Sequence, residues 1–276
     1  GSRRSEEAVW RSQLSGAVPL PCDGVIGVDE NRLSDASAVS GQLDAVSTGG
    51  LVRSGLVYHG GIDDVFLAAL GLSLGEWSRS RYGHDLGDPV IALEGHGREG
   101  EVDVGRTLGW FTSVFPVRLE VGDLVGCAGS DLGRAIMRVK ECLRALPDKG
   151  LGYGILRYLD EASGLSDPGL FSPEVVFNYL GRFDQAMDPS GGWQFEETAL
   201  GASGDDPLRR RLHLLEINAL IDGSGALQFS IGYCQLAHSQ EALADLARCF
   251  EAQLVALTAH CLEAPLSYCH TPSDYP

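Results

Sequence analysis

A mixed α/β fold is predicted for this chain by three observations on its 276 residues. Segments with apolar residues at helical spacing alternate with short β-branched and aromatic runs. The alternation lacks the regularity of repeated βαβ units, which favours a mixed sheet and an α/β or α+β class. Hydrophobic residues make up 44% of the chain, so a chain of this length can bury a core without disulfides.

Five segments have helical patterns. Ser5 is a candidate N-cap for the first of them, and Pro147 ends the third. Gly71 and Gly75 weaken the second, because glycine lowers helix stability. The predicted helices are residues 5–14, 62–79, 123–146, 151–161 and 239–262.

Strands are predicted where short apolar or alternating runs are bounded by turn residues. Pro116 implies an edge strand or a break, and Gly181 is expected to stop its strand. Asp222-Gly-Ser-Gly225 is a strong hairpin signal between the last two strands. The predicted strands are residues 38–46, 89–94, 108–121, 173–180, 208–220 and 226–234, and the predicted loops are residues 15–36 and 184–207.

Charge excludes several classes of function. The chain carries 21 Lys and Arg against 38 Asp and Glu, a formal net charge of −17, which argues against binding nucleic acid or an anionic membrane through basic patches. No apolar run approaches the roughly 20 residues that a spanning helix needs. Seven cysteines without a C-x-x-C pair are a poor disulfide framework and a poor zinc site, so we expect a reduced, cytoplasmic protein. The sequence implies no bound metal or nucleotide.

Three motif matches favour structural explanations. Gly95 to Gly100 fits G-x-G-x-x-G, but no helical pattern follows it, as a dinucleotide site would require. Gly71 to Gly75 fits G-x-S-x-G, but Ser73 lies inside a predicted helix rather than at a strand–helix turn. His59 and Asp63 form the H-x-x-x-D of an acetyltransferase-type site, but their surroundings predict a loop that caps the helix from Ile62.

Two other segments are candidates for chemistry. Glu94 ends an apolar strand at a glycine-rich turn, where partial desolvation would favour a general base, although an ordinary charged turn is the alternative. The glycines beside His96 would allow close approach of a substrate. Asn178 and Tyr179 are two polar side chains on another apolar strand. They can donate hydrogen bonds to an oxyanion, and the alternative is a buried polar pair satisfied by backbone.

These segments together resemble the epimerization domains of nonribosomal peptide synthetases, within the condensation-domain superfamily. The matches occur in the order of that family's motifs and cover residues 94–276. The EGHGRE and FNYLG segments resemble the motifs of epimerization domains rather than those of condensation domains that form peptide bonds. The segments are Glu94-Gly-His-Gly-Arg-Glu99, Thr107-Leu-Gly-Trp-Phe-Thr112, Tyr153-Gly-Ile-Leu-Arg-Tyr158, Pro173-Glu-Val-Val-Phe-Asn-Tyr-Leu-Gly181 and Thr271-Pro-Ser-Asp-Tyr-Pro276.

The resemblance implies a chloramphenicol-acetyltransferase-like lobe and a reaction. A base removes the Cα proton of an aminoacyl or peptidyl thioester carried on the 4'-phosphopantetheine arm of a peptidyl carrier protein, and the enolate is reprotonated on the other face. Glu94, Asn178 and Tyr179 would be the catalytic residues. His96, Arg98 and Trp110 would bind or shape the substrate site.

One departure from the family is serious, because the HHxxxDG motif of its N-terminal lobe is missing and no two histidines are adjacent. We therefore expect residues 3–276 to be the C-terminal lobe only, after a tag remnant at residues 1–2. An isolated lobe should be inactive or nearly so, and its exposed apolar surface should favour self-association. The alternative is a degenerate, non-catalytic module that docks a carrier protein or neighbouring synthetase domains.

Overall fold

The computed structural model describes residues 3–27, 30–98, 103–183, 206–263 and 270–275, and it confirms the mixed α/β class. Within these ranges a mixed sheet has the strand order β1-β6-β5-β4-β2-β3. The strands are β1 (Ala36–Leu43), β2 (Val90–Gly95), β3 (Ser113–Arg118), β4 (Val175–Arg182), β5 (Leu215–Ile221) and β6 (Leu227–Cys234).

The pairing of the strands is parallel in the middle of the sheet and antiparallel at both ends. β2 pairs with β4 and β4 with β5 in parallel, whereas β2 with β3, β5 with β6 and β6 with β1 are antiparallel. β3 is an edge strand, as Pro116 predicts. The Asp222-Gly-Ser-Gly hairpin is confirmed, because β5 and β6 pair antiparallel on either side of it. The Asp222 carboxylate accepts a hydrogen bond from Ser224 N at 2.8 Å within the turn.

Helices cover one face of this sheet. Phe66 of α3 packs against Phe177 and Tyr179 of β4, and Phe250 of α6 packs edge-on against Phe229 of β6. Their burial removes large aromatic surfaces from water, which is the main favourable term in folding. The helices are α1 (Glu7–Leu14), α2 (Ala45–Val57), α3 (Ile62–Tyr82), α4 (Ser130–Ala145), α5 (Leu151–Tyr158) and α6 (Gln240–Glu263).

Several predicted boundaries were wrong. The strand predicted for residues 38–46 begins at Ala36 and ends at Leu43, where Asp44 caps the unpredicted helix α2 by accepting hydrogen bonds from Val46 N and Ser47 N. Glu6, not Ser5, lies at the N-cap position of α1.

The other shifted boundaries lie next to glycines or loops. The segment 108–121 forms a strand only over Ser113–Arg118, and α4 begins at Ser130 rather than at residue 123. β4 continues past Gly181, whose positive φ of 96° accompanies a break in the pairing register with β5. The predicted loop 184–207 lies outside the described residues except for its last two positions.

Within the described ranges, none of the helices is both long and apolar enough to cross a membrane. The cysteines in these ranges form no disulfide bonds. Burial raises the pKa of Cys142 to about 12, so this thiol packs as a small apolar group.

Candidate active site on the uncovered sheet face

The opposite face of the sheet is not covered by the described helices, and Glu94 lies on it. Glu94 is the fifth residue of β2 and is exposed. The partial desolvation that its sequence position predicts is therefore not found within the described residues. Asn178 of β4 is half-buried and donates a hydrogen bond from Nδ2 to Glu94 Oε2 at 3.2 Å. The two motifs, 84 residues apart, thus meet at one carboxylate.

The parallel register of β2 and β4 brings these side chains together. Leu93 lies opposite Phe177, so the following residues, Glu94 and Asn178, occupy equivalent positions on the other face. Asn178 can orient the carboxylate while leaving its second oxygen available to a substrate. This arrangement suits a base that must approach a C–H bond from a fixed direction.

Tyr179 lies on the opposite face from Glu94. Successive side chains of a strand point to opposite faces, and the ring centroid of Tyr179 lies 5.1 Å from that of Phe66 on the helix-covered side. The structure therefore does not bring the Tyr179 ring to the Glu94 carboxylate. Asn178 and Tyr179 thus lie on opposite faces of β4, and a catalytic role for each of them stays a prediction.

Arg98 holds two predicted motifs together. Its guanidinium lies over the Phe111 ring at 4.4 Å and donates hydrogen bonds to the carbonyl oxygens of Thr107 and Gly109 at 3.0 and 3.5 Å. Arg98 therefore holds the loop that carries Trp110, and its role at the substrate site stays a prediction. Trp110 itself is 89% exposed.

Gly97 makes this loop arrangement possible. It has a φ of +62°, and a Cβ added to it would lie 1.5 Å from the carbonyl oxygen of Phe111. Both observations require glycine at this position. Glu99, the last residue of the EGHGRE segment, lies outside the described residues.

His96 is exposed, and its charge acts on the start of α3. Desolvation and the neighbouring Asp64 raise the pKa of Asp63, and the charge of His96 opposes both.

A second histidine, His213, was not predicted by sequence reasoning. Burial lowers the pKa of His213, while its hydrogen bond to Pro173 and the charges of nearby carboxylates, Glu94 among them, raise it.

The three structural explanations of the motif matches are supported by the geometry. Ser73 is fully buried in α3 and donates a hydrogen bond to Ala69 O at 2.6 Å. Asp64, one residue after the H-x-x-x-D aspartate, accepts a hydrogen bond from Gly61 N at 2.7 Å and caps α3. The described part of the segment between Gly95 and β3 contains no helix. The described residues also contain no group of three or more side chains arranged as metal ligands.

Comparison with known proteins identifies the family of this chain. The model of the condensation domain matches residues 2–275. This chain belongs to the condensation-domain family. Its sheet and helices form the chloramphenicol-acetyltransferase-like fold that condensation and epimerization domains share.

The relatives are multidomain peptide synthetases. The chain is 35% identical over 277 residues to tyrocidine synthase 2 of Brevibacillus parabrevis, covering 98% of this chain and 7% of that protein. It is 37% identical over 290 residues to tyrocidine synthase 1 of the same organism, covering 98% of this chain and 25% of that protein. The chain thus spans a small part of the length of these relatives.

The solved structures include an epimerization domain. The domain from the third module of tyrocidine synthetase B superposes with a TM-score of 0.79 at 33% identity, over 94% of this chain and 56% of that one. The X-domain from teicoplanin biosynthesis superposes with a TM-score of 0.65 at 19% identity, which shows the fold alone. The condensation-type identity and the fold predicted from the sequence are therefore confirmed.

Proposed function

We propose that this chain is the C-terminal lobe of a peptide-synthetase epimerization domain and supplies Glu94 as a base for inversion at Cα. The observation that carries the proposal is the hydrogen bond from Asn178 to Glu94, which joins the two segments that resemble epimerization domains. The 33% identity to a solved epimerization domain supports the same reaction.

The Glu94 carboxylate would accept the Cα proton of an aminoacyl or peptidyl thioester. The electron pair of the broken C–H bond moves into the thioester carbonyl, which becomes an enolate. Return of a proton to the opposite face of Cα from a second acid then gives the D-configured product. Asn178 would keep the carboxylate oriented toward Cα, while Arg98 would hold the Trp110 loop beside it.

The substrate would arrive on the 4'-phosphopantetheine arm of a peptidyl carrier protein, because this arm carries thioesters between domains of a synthetase. Adjacent synthetase domains are the other expected partners. The second acid would come from an HHxxxDG lobe, since this sequence has no adjacent histidines. We therefore expect the chain alone to fold but to epimerize poorly or not at all.

Exchange of the Cα hydrogen tests this function. L-aminoacyl and L-peptidyl carrier proteins are incubated in D₂O with the native polypeptide that contains this segment together with an HHxxxDG lobe, and with the chain alone. Mass spectrometry then measures deuterium in the released amino acid. We expect uptake with the first and little with the second. Glu94→Gln should reduce uptake at least about 100-fold, since general-base catalysis contributes about 10²–10⁴-fold.

A matched variant separates loss of the base from loss of the fold. Glu263→Gln removes a carboxylate at the exposed end of α6, and it should leave uptake unchanged. Uptake that survives Glu94→Gln would exclude Glu94 as the base. Strong uptake by the chain alone would show that a second lobe is not required.

The second candidate is a non-catalytic docking module. It is favoured by the exposure of Leu108 and Trp110, which are 102% and 89% exposed in the segment before β3. If the native polypeptide binds loaded carrier protein but exchanges no Cα hydrogen, this candidate replaces the first.

A further inference from the structure

The Glu94–Asn178 pair is one end of a polar row that crosses the uncovered sheet face. Asn178 of β4 lies opposite Asn218 of β5, Asn218 lies opposite Ser230 of β6, and Ser230 lies opposite Ser40 of β1. The row therefore contains five polar side chains on five neighbouring strands, all pointing to the same side.

The side chains beyond Asn178 make no hydrogen bonds with other described residues. Asn218 and Ser40 are exposed, and Ser230 is half-buried. All three are uncharged and can both donate and accept hydrogen bonds. The same chemistry recognises the N–H and C=O groups of a peptide backbone.

One neighbouring row of the same face is mostly small or apolar. Its charged member, Glu216, pairs with Arg211 at 3.2 Å. Parallel strands such as β2, β4 and β5 are normally covered on both faces. On this face Ala92 and Val176 of the neighbouring row are buried, whereas Glu94, Asn218 and Ser40 of the polar row are exposed. A polar ligand that lies along the polar row would satisfy the unpaired side chains. The small and apolar members of the neighbouring row include Ala38, Gly232, Val176, Ala92 and Pro116.

We infer that the row binds the peptide backbone of a peptidyl thioester, with the reacting Cα at Glu94 and the upstream residues over Asn218, Ser230 and Ser40. Neighbouring strands are about 4.8 Å apart, so the row from Glu94 to Ser40 spans about 19 Å. An extended peptide rises about 3.4 Å per residue, so the row accommodates about five or six residues.

This inference rests on the proposed function for the position of the reacting carbon, and it specifies a peptidyl rather than an aminoacyl substrate. The continuity of the row with Glu94 and Asn178 argues for the substrate itself as the occupant. Apart from Glu94 the row carries no charge, which matches a neutral backbone and not a charged protein surface.

The binding of two substrate analogues to the chain tests this inference without requiring turnover. The probes are the pantetheine amides of one amino acid and of an N-acetylated tetrapeptide ending in that amino acid, with the amide in place of the reactive thioester. Calorimetry should give a Kd at least about 10-fold lower for the tetrapeptidyl probe. Asn218→Ala and Ser230→Ala should each raise that Kd about 3- to 10-fold, the range for one lost hydrogen bond, and leave the aminoacyl Kd unchanged.

Two controls make the result specific. Ser12→Ala on α1 removes an exposed hydroxyl far from the row and should change neither Kd. Asn218→Asp keeps the size of the side chain but removes its donors, and should weaken only the tetrapeptidyl probe. Equal Kd values for the two probes, no measurable binding of either probe, or no effect of the row variants would overturn the inference.

The outcomes for the row and for the proposed function are distinguishable. Row-dependent binding of the tetrapeptidyl probe without Cα exchange in the native polypeptide would retain the row and reject the epimerase. Glu94-dependent exchange with equal binding of the two probes would retain the epimerase and reject the row.

Discussion

Glu94 and Asp274 are both carboxylates held by residues far away in the sequence, but their surroundings differ. Glu94 is exposed and accepts one described hydrogen bond, from the neutral amide of Asn178. Asp274 accepts a hydrogen bond from the Nζ of fully buried Lys140 at 2.6 Å and one from Arg144 at 2.8 Å. An exposed carboxylate is available for chemistry, whereas one paired with a buried ammonium contributes mainly to structure.

The cluster around Asp274 fastens the TPSDYP segment to α4. Lys140 also donates to Tyr58 O at 2.7 Å, and the Asp274 carboxylate accepts a hydrogen bond from Thr271 N at 2.8 Å, forming a capping box. Buried charges are tolerated when they are paired and hydrogen-bonded in this way. These contacts of Lys140 and Arg144 with Asp274, here called the clasp, hold the TPSDYP segment against α4.

Breaking the clasp should give the largest change in stability. Lys140→Met should lower the free energy of unfolding by about 1.5–3 kcal/mol, because the buried ammonium that donates charged hydrogen bonds to Asp274 and Tyr58 O is lost. Arg134→Met, which breaks an exposed pair with Asp131 on the same helix, should cost about 0.5 kcal/mol or less. Urea unfolding measures both. Equal effects of the two variants would contradict a special role of burial.

The dependence of stability on pH should distinguish the clasp from the buried histidines. The Lys140 ammonium, which donates a hydrogen bond to Asp274, holds the pKa of that carboxyl far below its usual range. A lowered carboxyl pKa stabilises the fold above the unfolded value of about 3.9, and this contribution is lost as the pH falls below it. Burial lowers the pKa of His213 and His238, so their contribution is lost as the pH falls below about 6.5.

We therefore expect the free energy of unfolding to fall between pH 7 and 5, and to fall again below about pH 4. Lys140→Met should make the second decrease shallower and leave the first unchanged. Urea titrations at a series of pH values provide the measurement. If the free energy of unfolding of Lys140→Met falls as steeply below about pH 4 as that of the wild type, the Lys140 ammonium does not stabilise the Asp274 carboxylate.

Arg98→Lys should affect the site more than the stability of the fold. Lysine cannot keep the planar stack on Phe111 together with the forked hydrogen bonds to the loop. We expect Cα exchange in the native polypeptide to fall about 10-fold, because misplacement of positioning groups by about 1 Å can cost up to about 100-fold. Arg106→Lys changes an exposed arginine on the same loop and should have little effect. If both variants behave alike, Arg98 does not position the site.

The sequence predicts most elements of this fold but misses α2 for a physical reason. Gly49, Gly50 and Gly55 lower its helix propensity, yet a Cβ on Gly50 would lie 2.8 Å from Thr258 Cγ2 of α6. Close packing between the two helices therefore favours glycine there and overrides propensity. The cap at Asp44, followed by Ser47, is the local signal that could have predicted this helix.

The site was predictable in its parts but not in its geometry. The motifs identify Glu94 and Asn178, whereas their contact depends on β2 and β4 being parallel neighbours, which no local pattern specifies. The separation of Asn178 from Tyr179 was predictable, because adjacent residues of a strand point to opposite faces. The charge of Glu94 also acts on His213, which lies just before β5, and this proximity arises only from the assembled sheet.

The smallest effect on stability is expected for the apolar surface beside the site. Leu108 and Trp110 are almost fully exposed in the segment before β3, and exposed apolar surface favours association. We expect the chain to self-associate at high concentration, measured by light scattering. The double variant Leu108→Ser and Trp110→Ser should shift it toward monomer and change the free energy of unfolding by no more than about 0.5 kcal/mol, since surface substitutions rarely cost more. Leu212→Ser, at another residue that is 85% exposed, should leave association unchanged. A strictly monomeric wild type would show that Leu108 and Trp110 do not drive association. If Leu212→Ser reduces association as much as the double variant does, the association is nonspecific.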